Sequence, residues 1–345
     1  MKKTKKIILF LIITVLLISS LMQISGWSWR KKKTDKNKIR IALVVKNLGN
    51  SFFEACRDGG LEAAKELGNN IEIIYQGPST PTAEGQIEII DSLIAQKVDA
   101  IAISANDIDA LVPITKKAMR SGIKVISFDS GIAKDGRILQ LDPSNAEFIG
   151  RSQVQMLAEM INYTGEIAIL SASSQATNQN IWIDYMKKEL EDSKYSKMKL
   201  VSVVYGDDLS DKSYREAMGL LKSFPALKGI ISPTTVGIAA SGKAIEDAGK
   251  IGKVQLTGLG LPSEMKQYIK NGTCEKMALW NPIDLGYSAT YICYGLIKGT
   301  INGNENEVMN IGRMGKITIG EDNVAVMGKP FVFEKDNIDK FAAIY

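Results

Sequence analysis

Histidine is absent from all 345 residues. That removes His-based triads, imidazole proton shuttles and every metal site that needs an imidazole ligand. Cysteine is scarce: Cys56, Cys274 and Cys293 form no C-x-x-C pair, which excludes zinc-ribbon and thioredoxin-like sites. An odd number cannot pair fully, so all three are expected as buried free thiols. Proline numbers nine and aromatics make up 7%, against 45% hydrophobic and 23% charged residues. Such a chain is neither low-complexity nor disordered, and it has room for two domains of roughly 100–200 residues each. No tandem repeat of roughly 20–50 residues is present.

The excess of positive charge belongs to one end. Residues 1–40 hold eleven Lys or Arg against the single acid Asp35, a net +10 in a chain of net +5, so residues 41–345 carry −5. The larger part lacks the basic face that phosphate binding requires, and nucleic acid is excluded as a partner. Lys2–Lys6 precede an apolar run from Ile7 to Trp27, the pattern of an export signal. No cysteine near its end offers a lipid-attachment site, and Gly26-Trp27-Ser28 is a weak cleavage site. Twenty-one residues span about 30 Å as a helix, and Trp27 and Trp29 followed by Arg30–Lys33 resemble an interfacial belt. Two states remain open: a cleaved signal peptide, or an anchor holding the protein to the cytoplasmic membrane by residues 7–27. In either case the protein is exported, and Lys31–Lys38 reads as a solvated linker.

From Arg40 onward strands and helices alternate. Strands are expected at Ile39–Lys46, Ile71–Tyr75, Ala100–Ser104 and Lys124–Phe128, with helices at Ser51–Gly68, Thr82–Gln96 and Ile108–Arg120 between them. The alternation restarts near Glu166 and runs to a helix at Asp284–Lys298, followed by a loop-rich end with short strands around Lys316–Ile319 and Phe331–Phe333. Continuous apolar runs between helices indicate parallel sheets covered on both faces. The fold class is therefore α/β, with two similar lobes, each a doubly wound parallel sheet.

Ligands of such sheets gather at the carboxyl ends of the strands. The residues found there include Lys46-Asn47, Ser104 to Asp107, Asp129-Ser130, Ser173 to Gln179, Pro233 to Thr235, Gly258 to Gly260 and Trp280-Asn281, with Phe52, Phe53 and Trp182 nearby. Carboxylates and amides satisfy paired hydroxyls, while an aromatic face packs on the C–H surface of a ring. Any single Asp or Asn after a strand is more simply a cap or turn residue. Most loops of one edge supplying such groups together point to a small neutral polyol or sugar held between hinged lobes.

Two motifs fail on their chemistry. Gly237–Ala244 approaches a P-loop, but Ala244 replaces the hydroxyl that holds Mg²⁺ and the segment reads as helix. Asp207, Asp208 and Asp211 lack the Gly and terminal Glu of a calcium loop, and Ser210 is expected to cap the next helix.

From about Lys38 onward the chain resembles the type I solute-binding proteins of ABC importers, in the branch of rhamnose-binding proteins and autoinducer-2 receptors. The resemblance is carried by VVKNLGNSFFEA, AEGQIEIIDSLIAQKVDAIAISAND, TNQNIWIDYMKKEL, YGDDLSDKSYREA, TGLGLPSEM and ALWNPIDLGYSAT. It implies two lobes joined by three crossings: residues 39–131 with 261–290, and residues 132–260 with 291–345, after an N-terminal segment 1–38. It also implies a ligand set. The autoinducer pattern of Lys, Asp, Gln and Pro falls on Lys46, Asp129, Gln179 and Pro233. Its second Asp and its Ala fall on Asn178 and Thr235, which depart from it. Phe53, Trp182 and Trp280 match apolar cleft positions, and Asn47 and Asn106 complete the candidates from the strand ends.

The expected function is capture of a rhamnose-type sugar or autoinducer-2 by a monomer that delivers it to an ABC permease. No catalytic residue, metal or cofactor is expected. A sensory module coupled to a membrane kinase or chemoreceptor is the alternative. A repressor of related fold would need a DNA-binding helix-turn-helix where residues 1–38 carry a membrane segment.

Overall fold

A computed structural model describes residues 38–345 apart from Asn69. The export segment expected at 7–27 and the basic stretch after it lie outside the described residues. Among the described residues no helix is long and apolar enough to cross a membrane.

The first sheet contains β1 (Ile39–Val44), β2 (Ile71–Gln76), β3 (Ala100–Ile103), β4 (Lys124–Phe128), β5 (Gln140–Ser144) and β13 (Val324–Gly328), in the order β13-β5-β4-β3-β1-β2. Every neighbouring pair is parallel. Helices α1 (Ser51–Leu67), α2 (Ala83–Gln96), α3 (Val112–Arg120) and α9 (Pro282–Lys298) cover it. The second sheet pairs β6 (Gly165–Ser171), β7 (Met198–Tyr205), β8 (Leu227–Ser232) and β9 (Gln255–Gly258) in the parallel order β7-β6-β8-β9. Its helices are α4 (Ala146–Met160), α5 (Thr177–Leu190), α6 (Ser210–Ser223), α7 (Thr235–Asp247) and α8 (Pro262–Lys270). A bridge from Leu259 to Ala278 brings β10 (Lys276–Leu279) beside β9, and β10 pairs antiparallel with β14 (Phe331–Glu334). A small antiparallel pair, β11 (Val308–Asn310) and β12 (Lys316–Thr318), and a last turn of helix, α10 (Ile338–Phe341), complete the chain.

Local chemistry explains the main elements. The Asn50 side chain caps α1 by accepting from the Phe52 amide at 3.0 Å. Its buried stripe of Phe53, Cys56, Gly60 and Ala64 follows the helical period. Helix α1 lies against α9 so closely that a Cβ on Gly59 would stand 1.8 Å from the Ile283 carbonyl oxygen, and one on Gly286 1.8 Å from that of Cys56. Only glycine fits at either place. Helix α3 starts at Val112, four residues later than expected, because the Asp107 carboxylate accepts from the amides of Asp109 and Ala110 in a turn of its own.

Strand pairing divides the lobes differently from the sequence-based boundaries. Residues 140–144 and 324–328, expected in the second lobe, are strands of the first sheet, while 276–279, expected in the first lobe, adjoin the second. The three crossings accordingly fall near Asn145, at Trp280-Asn281 and at Lys329-Pro330. Strand β5 reads QLDPS, too polar to be recognised. Its Pro143 lies beyond the two residue pairs made with β4, so the missing N–H is not required there. All three cysteines are buried free thiols, and burial pushes the thiols of Cys274 and Cys293 far up.

Helices α4 and α5 are tied by Glu189. Burial pushes its carboxyl up, but Tyr195 (2.6 Å), Gln155 (3.0 Å), Arg151 (2.9 Å) and Lys194 (3.3 Å) outweigh that and hold it at about 2. A carboxyl depressed on folding contributes stability that is present above its unfolded value of ~4.3 and lost as pH falls through the folded one. Glu189→Gln should therefore cost about 2–3 kcal/mol in urea unfolding at pH 7 and less than half of that at pH 3. A cost that does not change with pH would assign the residue's contribution to packing alone.

Candidate functional site

The carboxyl ends of the strands from both sheets converge on one small cavity of about 40 Å³. From the first lobe it receives Lys46 after β1, the start of α1 and Asp129 after β4; from the second it receives Asn178 and Gln179 on α5, Asp208 after β7 and Pro233–Thr235 after β8. Trp280, at the second crossing, closes one side.

Lys46 links the two lobes there. Its ammonium donates to Asn178 Oδ1 at 2.9 Å, across the two lobes. A clamp beneath holds its backbone: Asn106 Nδ2 donates to the Lys46 carbonyl at 2.9 Å, and Gln86 accepts from the Asn106 amide while donating to the carbonyls of Val45 and Ser104. Asp129 has a left-handed backbone, φ 59°, which Asp enters more readily than most residues. There it accepts from Ser104 Oγ at 2.7 Å. Asn178 Nδ2 lies 3.4 Å from both the carbonyl and a carboxylate oxygen of Asp129, a long contact. Gln179 Oε1 accepts from Ser171 Oγ and the Ala172 amide, both at 2.7 Å, which leaves its Nε2 to donate elsewhere.

Asp208 faces the same lysine. Two successive left-handed residues, Asp207 at φ 53° and Asp208 at φ 49°, turn it inward, and Thr234 Oγ1 donates to it. Burial pushes both Asp129 and Asp208 up; Lys46 draws both down, helped by Ser104 at Asp129 and by Thr234 at Asp208. Both carboxylates thus lie in the field of one ammonium, whose hydrogen bond goes to Asn178. The apolar wall opposite is a chain of edge-to-face aromatics, Phe53–Phe52 at 5.2 Å, Phe52–Trp280 at 6.2 Å and Trp280–Trp182 at 5.9 Å.

Of the residues expected from sequence, Lys46, Phe53, Asp129, Asn178, Gln179, Trp182, Pro233, Thr235 and Trp280 line this cavity together. Asn106 does not; its amide is spent on the Lys46 and Thr82 carbonyls. Asn47 does not either, and lies instead in a neighbouring cavity with Asn50, Ser51, Asp208 and Glu264. Phe52, Thr234 and Leu259, found among the strand-end residues, line it too, while Asp208, Asn50 and Leu279 lie beyond the expected set. Asp208 bears the same mark as the others, a polar residue just after a strand, but it sits in an acidic cluster that suggests calcium first. Ser210 is the first residue of α6 rather than a side-chain cap, and Gly237–Ala244 lies inside α7.

Comparison with known proteins decides the family. Residues 41–301 match the periplasmic binding protein domain. The chain belongs to the periplasmic binding proteins. A solute-binding protein of an ABC transporter from Clostridium phytofermentas, described with bound L-rhamnose, superposes with a TM-score of 0.86 at 39% identity, covering 89% of this chain and 99% of that one. A D-ribose/D-allose-binding protein of Pseudomonas aeruginosa is 30% identical over 243 residues, 68% of this chain and 75% of that protein. LsrB of Clostridium saccharobutylicum, described in complex with AI-2, has a TM-score of 0.83 at 21% identity, covering 88% and 99%, and shares the fold. The relatives it resembles are described as solute- or sugar-binding proteins, the C. phytofermentas one as part of an ABC transporter, and none of these three as an enzyme.

A carboxyl whose ionisation is disfavoured by folding costs stability above the ordinary aspartate range of ~4, and the cost fades as pH falls through it. Asp208→Asn keeps an acceptor for Thr234, so the variant should be more stable than the parent at pH 7. The difference should narrow toward pH 4 in urea melts. A variant less stable at pH 7 would show that Lys46 requires both charges.

Proposed function

We propose that this binding protein captures a rhamnose-type deoxysugar and presents it to an ABC permease. One observation carries the reading: an ammonium and two carboxylates face an aromatic wall across one interlobe cavity. A deoxyhexose has that division of surface. Its vicinal hydroxyls need charged and amide partners, and its methyl group and C–H face need an apolar one. In this reading Asp129 and Asp208 accept from ring hydroxyls, Lys46, Asn178 and the free amide of Gln179 donate, and Phe53, Trp182 and Trp280 pack on the ring. Pro233 and Thr235 close the second-lobe side. The likeness to the rhamnose-bound protein of C. phytofermentas supports the choice.

Autoinducer-2 is the second reading, favoured by Lys46, Asp129, Gln179 and Pro233. Asn178 argues against it. Its carbonyl oxygen accepts from Lys46 and from the Gln179 amide, so the position lacks the charge of a second carboxylate. Family membership puts the protein outside the cytoplasm, and residues 7–27 are proposed to carry it there and either to be removed or to remain as its membrane tether. Nothing in the site favours a sensory role over transport.

Calorimetry on L-rhamnose, D-ribose, D-allose and autoinducer-2 tests the reading. L-rhamnose should bind most tightly, and Asp129→Ala should weaken it about 10–150-fold, the scale of a hydrogen bond to a charged group. Tighter binding of autoinducer-2, or an Asp129→Ala variant of full affinity, would contradict it.

A further inference from the structure

A larger chamber stands behind the small cavity, on the side of the first crossing. Its volume is about 180 Å³, against about 40 Å³ for the cavity around Lys46. Asp129, Asn178 and Trp182 line both spaces, so these three side chains form the partition. The polar part of that partition is the 3.4 Å contact of Asn178 with Asp129, one residue from each lobe. It exists only while the lobes are closed, and a group lying across it would take over both partners.

The chamber's own lining is two-sided. Asp142, Ser144 and Thr177 place a carboxyl and two hydroxyls in its wall, and neither hydroxyl has a hydrogen-bond partner. Asp142 belongs to β5 of the first lobe and Thr177 begins α5 of the second. Burial pushes the Asp142 carboxyl up to about 6, against the pull of Gln140 and Arg137. Much of the remaining lining is apolar, with Ile108, Ile132, Ile181, Val324 and the ring of Trp182 offering C–H surface. Arg137 also lines the chamber, but its guanidinium donates to the carbonyls of Ile132, Asp322 and Asn323. The acids Asp129 and Asp142 therefore disfavour an anionic group, and the partnerless hydroxyls a purely aliphatic one. A second hydroxylated ring, with polar edges and C–H faces, suits the lining.

We infer that the ligand has two units: a deoxysugar ring in the cavity around Lys46 and a second neutral sugar, linked through the Asn178–Asp129 partition, in the chamber lined by Asp142, Ser144, Thr177 and Ile181. This rests on the deoxysugar reading above and extends it. It makes the protein a receptor for rhamnosides rather than for the free sugar alone.

Calorimetry on the full-length protein with L-rhamnose and with the disaccharide α-L-rhamnosyl-(1→6)-D-glucose tests it. The disaccharide should bind at least tenfold more tightly. Ile181 is 42% exposed on α5, so Ile181→Trp fills the chamber without disturbing the core. That variant should remove the disaccharide's advantage and leave the affinity for L-rhamnose within twofold. Asp142→Asn should likewise weaken the disaccharide alone. Binding of L-rhamnose without the disaccharide, or equal weakening of both by Ile181→Trp, overturns the two-unit inference while the deoxysugar reading stands. Binding of neither sugar overturns both.

Discussion

An ammonium buried between two lobes constrains nearly everything around it. Lys46 is 4% exposed, a location that a lysine tolerates only with charged or hydrogen-bonding partners. Its hydrogen-bond partner Asn178 comes from the other lobe, and it feels the charge of Asp129 from its own lobe and of Asp208 from the other. The lobes are therefore held together at this point by polar groups rather than by apolar packing. Such groups exchange readily for those of a ligand, which makes the same contact suitable for opening and for capture.

The supporting structure follows from that requirement. Lys46 must be placed accurately, so its carbonyl is clamped by Asn106, which is itself fixed by Gln86. Both acids must turn inward at strand ends, and each does so through a left-handed backbone that costs conformational energy. Their burial raises both pKa values, a penalty that Lys46, Ser104 and Thr234 only partly offset. A site that is electrostatically uncomfortable when its groups have only one another gains most from a ligand rich in hydroxyls. The aromatic chain from Phe53 to Trp182 performs the opposite task, excluding water from one face of the cavity.

Most of this was legible in the sequence because strand ends announce themselves. Apolar runs located β1, β3 and β4, and the first polar residue after each pointed to Lys46, Ser104 and Asp129. The resemblance to a family then selected Asn178, Gln179 and Pro233. What escaped did so for identifiable reasons. Strand β5 carries Asp142 and Pro143 and lacks the apolar run that marks its neighbours, so the first crossing and the lobe boundaries were displaced. Asp208 sits in an acidic cluster whose commonest meaning is something else. Asn106 has the right residue type at the right edge, yet its amide is consumed by backbone carbonyls, and only the folded structure shows which polar groups are already spent.

The central claim is that a sugar exchanges for the Lys46–Asn178 contact and closes the two lobes upon itself. Spin labels at Glu88→Cys on α2 and Lys187→Cys on α5, both exposed positions on opposite lobes, measure this directly by the distance between them. The three native thiols are buried and do not compete for the label. Without sugar the distance distribution should be broad and include long separations; saturating L-rhamnose should collapse it to a single short component. An unchanged distribution with the sugar demonstrably bound would contradict the account, leaving a preformed pocket in place of a closing cleft.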